Sequence, residues 1–379
     1  MNIHDFDDIR PFLPEELPDV YERLLADPEF QGVLDYVFPD IPRQNLEALI
    51  RSSKTNLEFQ LNVVYPMLQT LLSKAATSLT SNFAEDLGPD NGNSYTFVSN
   101  HRDIVLDSAL LSVALHDAGR NTVEIAIGDN LLIRPWIRDL VRINKSFIVQ
   151  RALTMRQMLL ASAKMSKYMH FAINEKNENI WIAQREGRAK DSNDRTQESV
   201  LKMMSIGGDL RNLNIVPLAI TYEYDPCDYL KAQEFQLKRD NPEFKKSQQD
   251  DLDNMRTGIF GPKGKIHYHA APCINDWLET LPADMPKADY FKVVAEHIDK
   301  EIHSHYHLYA GNYVAADLLC GTDDYSAHYT EEDRMRFEGY LAKKLSLITI
   351  PNPDMDFLRE RMLTMYANPV FNQIKAIAQ

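Results

Sequence analysis

The chain has 379 residues, of which 44% are hydrophobic and 25% charged, and its formal net charge is -14. This composition is typical of a globular protein with a sizeable core and argues against a disordered or fibrous chain. The acidic balance argues against general nucleic-acid binding, which requires a basic surface over the phosphates.

Residues 1–87 are predicted to form a helical N-terminal region. Residues 1–42 are acidic and interrupted by prolines, and apolar residues then recur at helical spacing through residues 44–87. That spacing places apolar side chains on one helix face, with a break near Pro66 because proline lacks a backbone N–H. We therefore expect amphipathic helices throughout this region.

Residues 88–276 are predicted to form an α/β domain, because strand-like and helix-like segments alternate. The predicted strands are residues 95–99, 123–127, 146–149, 179–183, 215–222 and 265–271. The predicted helices are residues 104–118, 135–141, 152–171 and 200–206. This alternation is typical of an α/β sandwich with a largely parallel sheet. The densely charged residues 225–256 are interpreted as an exposed insertion, and residues 277–379 as a helical C-terminal region.

Cysteine usage and the lack of export signals indicate a cytoplasmic protein. Cys227, Cys273 and Cys320 are odd in number and far apart, which supports neither a disulfide framework nor a thiolate zinc site. The acidic N-terminus is unlike a signal peptide, and no stretch approaches the roughly 18 apolar residues that span a bilayer.

Basic residues are concentrated between Arg134 and Lys167, where eight Lys and Arg residues accompany Asp139 as the single acid. The rest of the chain has 33 basic and 54 acidic residues, so the charge is segregated. Segregation of this kind indicates either an anionic ligand or partner held at one place or a solvated basic helix face. Arg134, Arg138 and Arg142 lie four residues apart and would share one face of a helix.

A histidine follows the first predicted strand of the α/β domain, in the sequence VSNHRDIVLD from Val98 to Asp107. A carboxylate that accepts a hydrogen bond from one ring nitrogen leaves the other nitrogen as a general base. His101 is therefore a candidate catalytic base, with Asp103 and Asp107 as candidate partners. A protein-kinase catalytic loop also begins His-Arg-Asp, but no glycine-rich loop precedes this motif and no Asp-Phe-Gly follows it.

Four motifs occur in a fixed order within about residues 95–225. They are Asn100-His101-Arg102 with Asp107, the stretch from Gly128-Asp129-Asn130-Leu131 to Arg151, Arg185-Glu186-Gly187-Arg188 with Arg195-Thr196, and Ile215-Val216-Pro217-Leu218 leading to Tyr222-Glu223. Together they resemble the motifs of the glycerolipid acyltransferases, which include glycerol-3-phosphate and lysophosphatidate acyltransferases. The resemblance implies an acyltransferase-type α/β sandwich, and the long helical flanks favour the bacterial glycerol-3-phosphate acyltransferase branch.

The first motif departs from the family, which places its aspartate five residues after the histidine. This chain has Leu106 at that position, so Asp103 and Asp107 both remain candidates. The number of residues from Asp107 to the glycines of the second motif matches the family's spacing with no insertion or deletion. That count favours Asp107, with one inserted residue in the turn beside His101. Asp103 would then lie at the helix N-terminus, where a carboxylate is favourable.

The resemblance implies that Arg151, Glu186, Gly187 and Arg188 bind substrate. Planar guanidinium groups bind phosphate bidentately, so the two arginines are expected to hold the phosphate of the acceptor. The family's Glu-Gly-x-Arg is replaced here by Arg-Glu-Gly-Arg, so either Glu186-Gly187 or Gly187-Arg188 can be superposed, but not both. Arg188 is the firmer carry-over.

The resemblance implies direct transfer of an acyl group from acyl-CoA or acyl-carrier protein to a phosphorylated glycerol, in phospholipid biosynthesis. His101 would deprotonate the attacking hydroxyl, and the chain lacks a Gly-x-Ser-x-Gly nucleophile motif. We expect no cofactor and no metal, since the histidines of residues 303–307 lack a partner zinc motif. Because donor or product is lipidic, peripheral contact with the inner face of the membrane is expected.

Two alternatives remain open. Within the same chemistry, the acceptor could be lysophosphatidate or a lyso-aminolipid. In a different class, the chain could be a non-catalytic protein of the same fold that binds lipid or an acyl carrier, in keeping with the irregular spacing after His101 and the altered third motif.

Overall fold

The computed structural model describes residues 1–87, 92–151 and 154–378, which contain a seven-stranded sheet. The strands are β1 (Ala76–Ser81), β2 (Thr96–Ser99), β3 (Val123–Gly128), β4 (Ser146–Val149), β5 (Asn179–Ala183), β6 (Ile215–Tyr222) and β7 (Gly264–Ala270). Their order across the sheet is β1-β7-β6-β2-β5-β3-β4. Neighbouring strands pair in parallel except β6 and β7, which pair antiparallel. The predicted α/β fold with a largely parallel sheet is therefore confirmed.

Helices cover both faces of the sheet and extend beyond it. The helices of the first 87 residues are α1 (Leu17–Ala26), α2 (Pro28–Val37), α3 (Arg43–Ser52), α4 (Asn56–Phe59), α5 (Tyr65–Ala75) and α6 (Phe83–Asp86). Those between β2 and β7 are α7 (Leu106–Asp117), α8 (Pro135–Ile143), α9 (Met155–Asn174), α10 (Glu198–Met204), α11 (Asp228–Asp240) and α12 (Gln248–Phe260). The last are α13 (Asn275–Glu279), α14 (Lys287–Ser304), α15 (Ala310–Cys320), α16 (Glu331–Leu345) and α17 (Met355–Ile377).

Two findings on these helices bear on expectations from the sequence. Helix α9 was predicted from residue 152, and Ala152 and Leu153 lie outside the described residues. Among the helices of the described residues, none is both long and apolar enough to cross a bilayer.

The central strands are buried on both faces of the sheet. Phe97 of β2 and Val216 of β6 pack in the hydrophobic core that includes α5 and α7. Their neighbours Val98 and Ile215 pack in the core that includes α9 and α14. Because successive strand residues point to opposite faces, a continuous apolar run such as β6 is compatible only with helices on both sides.

Two further cores attach the terminal regions to this sandwich. Helices α1, α2 and α3 pack with Ile143 of α8, and α15, α16 and α17 pack with Ala232 of α11. The N-terminal segment also covers the β4 edge of the sheet, since the Ile148 N–H donates to the Ile9 carbonyl at 2.9 Å. An edge covered in this way is protected from pairing with another chain.

The expectation of a purely helical N-terminal region is wrong at residues 76–81, which form β1. The backbone becomes extended at Ala76, where α5 ends, and β1 pairs in parallel with β7. The β1 sequence contains two β-branched threonines, which suit a half-exposed edge strand better than a helix. The predicted boundary after residue 87 adjoins residues 88–91, which lie outside the described ones, so the division at 87 and 276 stays a prediction.

The expectation that residues 225–256 are exposed is wrong for α11, where several charged side chains are buried. Lys231 forms a buried ion pair with Asp225. Glu234 forms ion pairs with three lysines, namely Lys190, Lys238 and Lys246. Burial would raise the pKa of Glu234, but the lysines lower it to about 2. The charge of Asp225, Lys231 and Glu234 therefore reflects internal pairing, which a composition count cannot distinguish from solvation.

Candidate active site

A buried asparagine fixes the position where β2 ends. The Asn100 amide donates to the Ile220 carbonyl and accepts from the Ile220 N–H, both at 2.8 Å. The side chain thus continues the pairing between β2 and β6 one residue beyond Ser99. The carboxyl ends of parallel strands share one edge of a sheet, so His101 lies at the edge where open α/β folds bind ligands.

Asp107, in the first turn of α7, holds the imidazole of His101. Nδ1 of His101 and Oδ2 of Asp107 are 2.8 Å apart, and the carboxylate is fully buried. The same oxygen accepts the backbone N–H groups of Arg102 at 2.7 Å and Asp103 at 3.0 Å. These donors keep a buried carboxylate in one position. The structure therefore pairs His101 with Asp107.

Asp103 caps the start of α7 instead of contacting the imidazole. Its Oδ1 accepts the N–H groups of Val105 at 2.9 Å and Leu106 at 2.7 Å, which is the hydrogen bonding expected at a helix N-terminus. Burial, followed by the charge of Asp107, raises the pKa of Asp103. A Cβ atom at position 258 would overlap the Asp103 carboxylate, so Gly258 allows α12 to approach this turn closely.

The second ring nitrogen of His101 is left free for chemistry. Nε2 has no hydrogen-bond partner among the described residues, and the side chain is 13% exposed and lines a cavity. The ring packs edge-on against Trp181, with centroids 5.6 Å apart. With Asp107 accepting from Nδ1–H, the hydrogen bonding assigns the tautomer in which Nε2 is a proton acceptor.

Two tyrosines beneath the carboxylate were missed from the sequence. Tyr222 Oη donates to Asp107 Oδ1 at 3.1 Å, and Tyr268 Oη donates to the Asp107 carbonyl at 2.8 Å. Burial raises the pKa of both phenols well above the ordinary value, so they remain donors. Tyr222 closes the fourth motif, but Tyr268 lies on β7, about 160 residues from Asp107 in the chain.

A cavity of ≈ 1090 Å³ opens in front of His101. Its apolar wall combines residues of the N-terminal helices, the turn after His101 and helix α12, and includes Val33, Tyr36, Met67, Leu71, Ile104 and Ile259. Each CH₂ group buried against such a wall contributes about 0.8 kcal/mol. The cavity can therefore hold an aliphatic chain beside His101.

Arg151 lies at the wall of the same cavity, as the resemblance implied. Its Nη1 is 3.2 Å from Oε1 of Glu186, and its backbone N–H donates to Asp129 at 3.1 Å. A Cβ at position 128 would lie 2.9 Å from Arg151 Nε, so Gly128 leaves room for the guanidinium. The second and third motifs thus meet at an Arg151–Glu186 ion pair.

Arg188 presents a second guanidinium to the cavity. Its Nη2 donates to Asn254 Oδ1 at 3.3 Å, whereas Nη1 is buried with no hydrogen-bond partner among the described residues. Gly187 adopts φ +68°, a left-handed conformation that glycine adopts without strain. An unpaired, buried guanidinium N–H is suited to an anionic ligand.

Two further arginines line the cavity and were not singled out as ligands. Arg185 and Arg256 have no ion pair among the residues that the structure describes. Arg185 is part of the third motif, but Arg256 belongs to α12, within the segment interpreted as an insertion. Nothing in its sequence context indicated that α12 forms a wall of the site.

The three arginines at four-residue spacing do not act together. Arg142 is buried and donates to the backbone carbonyls of Arg10 and Asp7, both at 2.8 Å, so neither of the two alternatives, an anionic ligand or a solvated helix face, describes it. Arg134 lies 3.4 Å from a carboxylate oxygen of Glu29. Arg138 is exposed. The N-terminal segment contacts α8 through Arg142, and the spacing of residues along the helix cannot predict this contact.

A buried network supports the turn that holds His101. Arg102 Nη2 lies 2.6 Å from Asp194 Oδ2, and this ion pair joins the first motif to the loop after the third. The Asp194 carbonyl is 3.0 Å from Nε2 of His303, and Arg195 Nη1 is 3.0 Å from Nδ1 of the same ring. Burial and then Arg195 lower the pKa of His303 to about 3, so this imidazole is neutral.

The other histidines of that segment pack against β7. The rings of His305 and His269 stack with centroids 4.4 Å apart, and those of His307 and His267 are 4.9 Å apart. Across the described residues, no three His, Cys, Asp or Glu side chains are arranged to hold a metal ion.

Comparison with known proteins finds a family model that matches part of the chain. Residues 82–221 match the family model described as Acyltransferase, and the matched range includes His101, Asp107, Arg151 and Arg188. The family resemblance of the motifs is thereby supported over this range. The assignment to the glycerol-3-phosphate branch stays a prediction.

Among solved structures, the chain is similar to the 1-acyl-sn-glycerophosphate (LPA) acyltransferase PlsC from Thermotoga maritima. The two are 10% identical, the alignment covers 76% of this chain and 97% of that one, and the TM-score is 0.37. No curated protein matches the chain in sequence.

Proposed function

We propose that this protein is an acyltransferase that moves a fatty acyl group from a thioester to the hydroxyl of a phosphorylated glycerol. One observation carries the proposal: the His101–Asp107 pair faces a cavity that combines an apolar wall with guanidinium groups. The Acyltransferase match over residues 82–221 supports the same chemistry. Acyl transfer to a phosphorylated glycerol needs a base, an apolar wall for the acyl chain and cations for the phosphate, all at one place.

In the proposed reaction, Nε2 of His101 removes the proton of the acceptor hydroxyl as its oxygen attacks the thioester carbonyl carbon. The carbon–oxygen bond forms, the carbon–sulfur bond breaks, and the sulfur leaves as a thiolate. The imidazolium then returns its proton to the thiolate. Asp107 holds Nδ1–H and stabilises the imidazolium charge, and general-base assistance of this kind contributes typically about 10²–10⁴-fold in rate.

The acceptor phosphate would bind between Arg188 and Arg151. Buried Nη1 of Arg188 supplies an unpaired donor, and Arg151 would exchange its Glu186 partner for the phosphate. Glycerol 3-phosphate is the simplest phosphorylated glycerol that could serve as the acceptor. Lysophosphatidate shares the phosphate and differs by an acyl chain, for which the apolar wall also offers room.

The donor would be acyl-CoA or acyl-carrier protein, with its acyl chain along the apolar wall. The thioester itself supplies the activated acyl group, so the proposed reaction needs no further cofactor or metal. Because donor or product is lipidic, we place the reaction at the inner face of the membrane.

A panel of acceptors tests this function. The purified chain is incubated with a labelled acyl-CoA or acyl-carrier protein and, separately, glycerol 3-phosphate, lysophosphatidate, a lyso-aminolipid or glycerol. We expect acyl ester formation with a phosphorylated glycerol and little with glycerol. Thioester that is bound but not consumed with every acceptor would instead identify a non-catalytic binding protein.

Replacing Arg188 tests the phosphate site within that panel. Arg188→Lys keeps the charge but loses bidentate geometry, so KM for the phosphorylated acceptor should rise about tenfold or more while KM for the acyl donor changes little. Arg336→Lys, on helix α16 remote from the cavity, is the matched control. Equal effects on both substrates would contradict the assignment.

A further inference from the structure

The first turns of α9 protrude from the protein and are apolar. Every residue from 154 to 160, here called the α9 tip, is exposed. Met155 exposes 88% of its surface, Met158 51%, Leu159 65% and Leu160 63%. At 100° per residue, these four side chains occupy more than half of the helix circumference. A concentration of large apolar side chains in six residues marks an interaction site.

Other exposed apolar residues of the described chain are more scattered. Met335, Leu347 and Met355, for example, lie on or beside different helices of the C-terminal region, separated by polar residues. Such isolated exposure is ordinary in soluble proteins. The α9 tip differs because four large apolar side chains lie within six residues and every residue of the tip is exposed.

Charge around the α9 tip indicates what it contacts. Residues 140–174 contain no acid and six basic residues, of which Arg142 and Lys145 are buried and Arg151 and Lys164 form ion pairs. The remainder of the chain carries a net charge of -20. Arg156 lies within the tip, and Arg156, Arg138 and Lys167 are exposed with no ion pair among the described residues. An anionic surface would therefore attract this side of the protein and repel most of the rest, which fixes an orientation.

The α9 tip also lies next to the candidate active site. Arg151 lines the cavity, and Met155 lies only four positions after it along the chain. Four residues span at most about 14 Å even when fully extended. A surface that receives the tip is thus brought within reach of the cavity wall where Arg151 lies.

We infer that the α9 tip is the membrane-contact element of this protein and inserts into the surface of an anionic lipid bilayer. Apolar side chains that surround a free helix end suit insertion among acyl chains, whereas a partner protein would need a matching concave face. Arg156, between Leu159 and Leu160 on the helix circumference, suits the phosphate level of the headgroups. The inference rests on the proposed function only for the lipid nature of the substrates.

Vesicle binding tests the inference without any catalytic step. The full chain is sedimented with vesicles of phosphatidylcholine alone or mixed with phosphatidylglycerol, with no acyl donor present. We expect binding to the anionic vesicles, weakened at least about tenfold by Leu159→Glu with Leu160→Glu. Arg156→Gln should weaken it about fivefold, and only on the anionic vesicles. Met335→Glu, an equally exposed apolar position on α16, is the matched control and should bind like the wild type.

Insertion itself is measured with a tryptophan probe. Emission of a Leu159→Trp variant should be quenched by vesicles of bromine-labelled lipid, and that of Met335→Trp should not be. Unchanged binding by the double glutamate variant would overturn the inference, as would a wild-type dimer that the double variant converts to monomer. His101→Gln should still bind vesicles, so loss of acyl transfer and loss of membrane contact are distinguishable.

Discussion

His101 and His303 show how the partners of an imidazole decide what it can do. His101 has a carboxylate on Nδ1 at 2.8 Å, and its Nε2 has no partner among the described residues. Both nitrogens of His303 are engaged, by the Arg195 guanidinium and the Asp194 carbonyl, each at 3.0 Å. A carboxylate strengthens the ring as a proton acceptor, whereas a guanidinium weakens it. The contacts thus leave one ring nitrogen of His101 without a partner among the described residues, whereas both nitrogens of His303 hold neighbouring segments.

The two histidines are nevertheless connected. His303 holds the Asp194 backbone, and Asp194 pairs with Arg102, whose neighbour in the chain is His101. His101 lines the cavity, whereas His303 is buried. A charged His303 beside the Arg195 guanidinium would be unfavourable, so the neutral imidazole supports the Asp194 backbone.

The largest expected effect comes from removing the proposed base. His101→Gln should lower turnover about 10³-fold, because Nε2 is lost as proton acceptor while the fold is retained. The measurement is kcat for acyl transfer, with thermal unfolding as the test of folding. His303→Gln should retain far more activity than His101→Gln. Near-normal turnover of the His101 variant would remove the difference between the two histidines.

The next effect separates the two aspartates near His101. Asp107→Asn should lower kcat about 10²-fold, because a neutral amide cannot stabilise the imidazolium. Asp103→Ala should instead cost about 1 kcal/mol of unfolding free energy, as expected for a lost helix cap, with kcat changed less than tenfold. Denaturant unfolding and steady-state kinetics on both variants decide the matter. A larger kcat loss in Asp103→Ala would reverse the assignment.

The smallest effect is on the pH dependence of stability. The pKa of His303 is about 3 in the folded protein and about 6.5 when unfolded, so the unfolded chain takes up a proton first as the pH falls. The contribution of neutral His303 is complete above pH 6.5 and is lost as the pH falls towards 3. Between pH 6.5 and 5 this amounts to about 2 kcal/mol.

Denaturant unfolding at several pH values measures that loss. His303→Gln should have a shallower decrease in unfolding free energy than the wild type over this range, because glutamine does not titrate. An identical slope in the two proteins would show that His303 is not buried and neutral as the structure has it.

Much of the fold was predictable because strands buried on both faces produce unbroken apolar runs. Six of the seven strands were anticipated, β6 most clearly, since all eight of its residues are buried, and β7 by its turn residues at either end. Strand β1 was missed because an edge strand needs little apolar surface, and its short Thr- and Ser-rich sequence follows a strong helical pattern. The burial of α11 was missed because its charged side chains are buried in ion pairs, whereas a dense run of charged residues in the sequence suggests exposure.

The candidate site was anticipated only where neighbouring residues form motifs. His101, Arg151 and Arg188 line one cavity, as the motif resemblance led us to expect. Tyr268 and Arg256 come from distant segments with no distinguishing pattern. Arg142 had the right charge and spacing but faces Asp7 and Arg10, which lie more than 130 residues away in the chain.

Local patterns were enough to establish an α/β chain with a histidine at a strand end and two candidate carboxylates after it. Hydrophobic periodicity and the order of motifs depend on residues close together in the chain, so both can be recognised in the sequence. The choice of Asp107 over Asp103 required folding, because one residue added to a turn changes which side chain points at the ring. The cavity, its arginines and the buried support around His303 likewise depend on contacts between segments far apart, which only packing brings together.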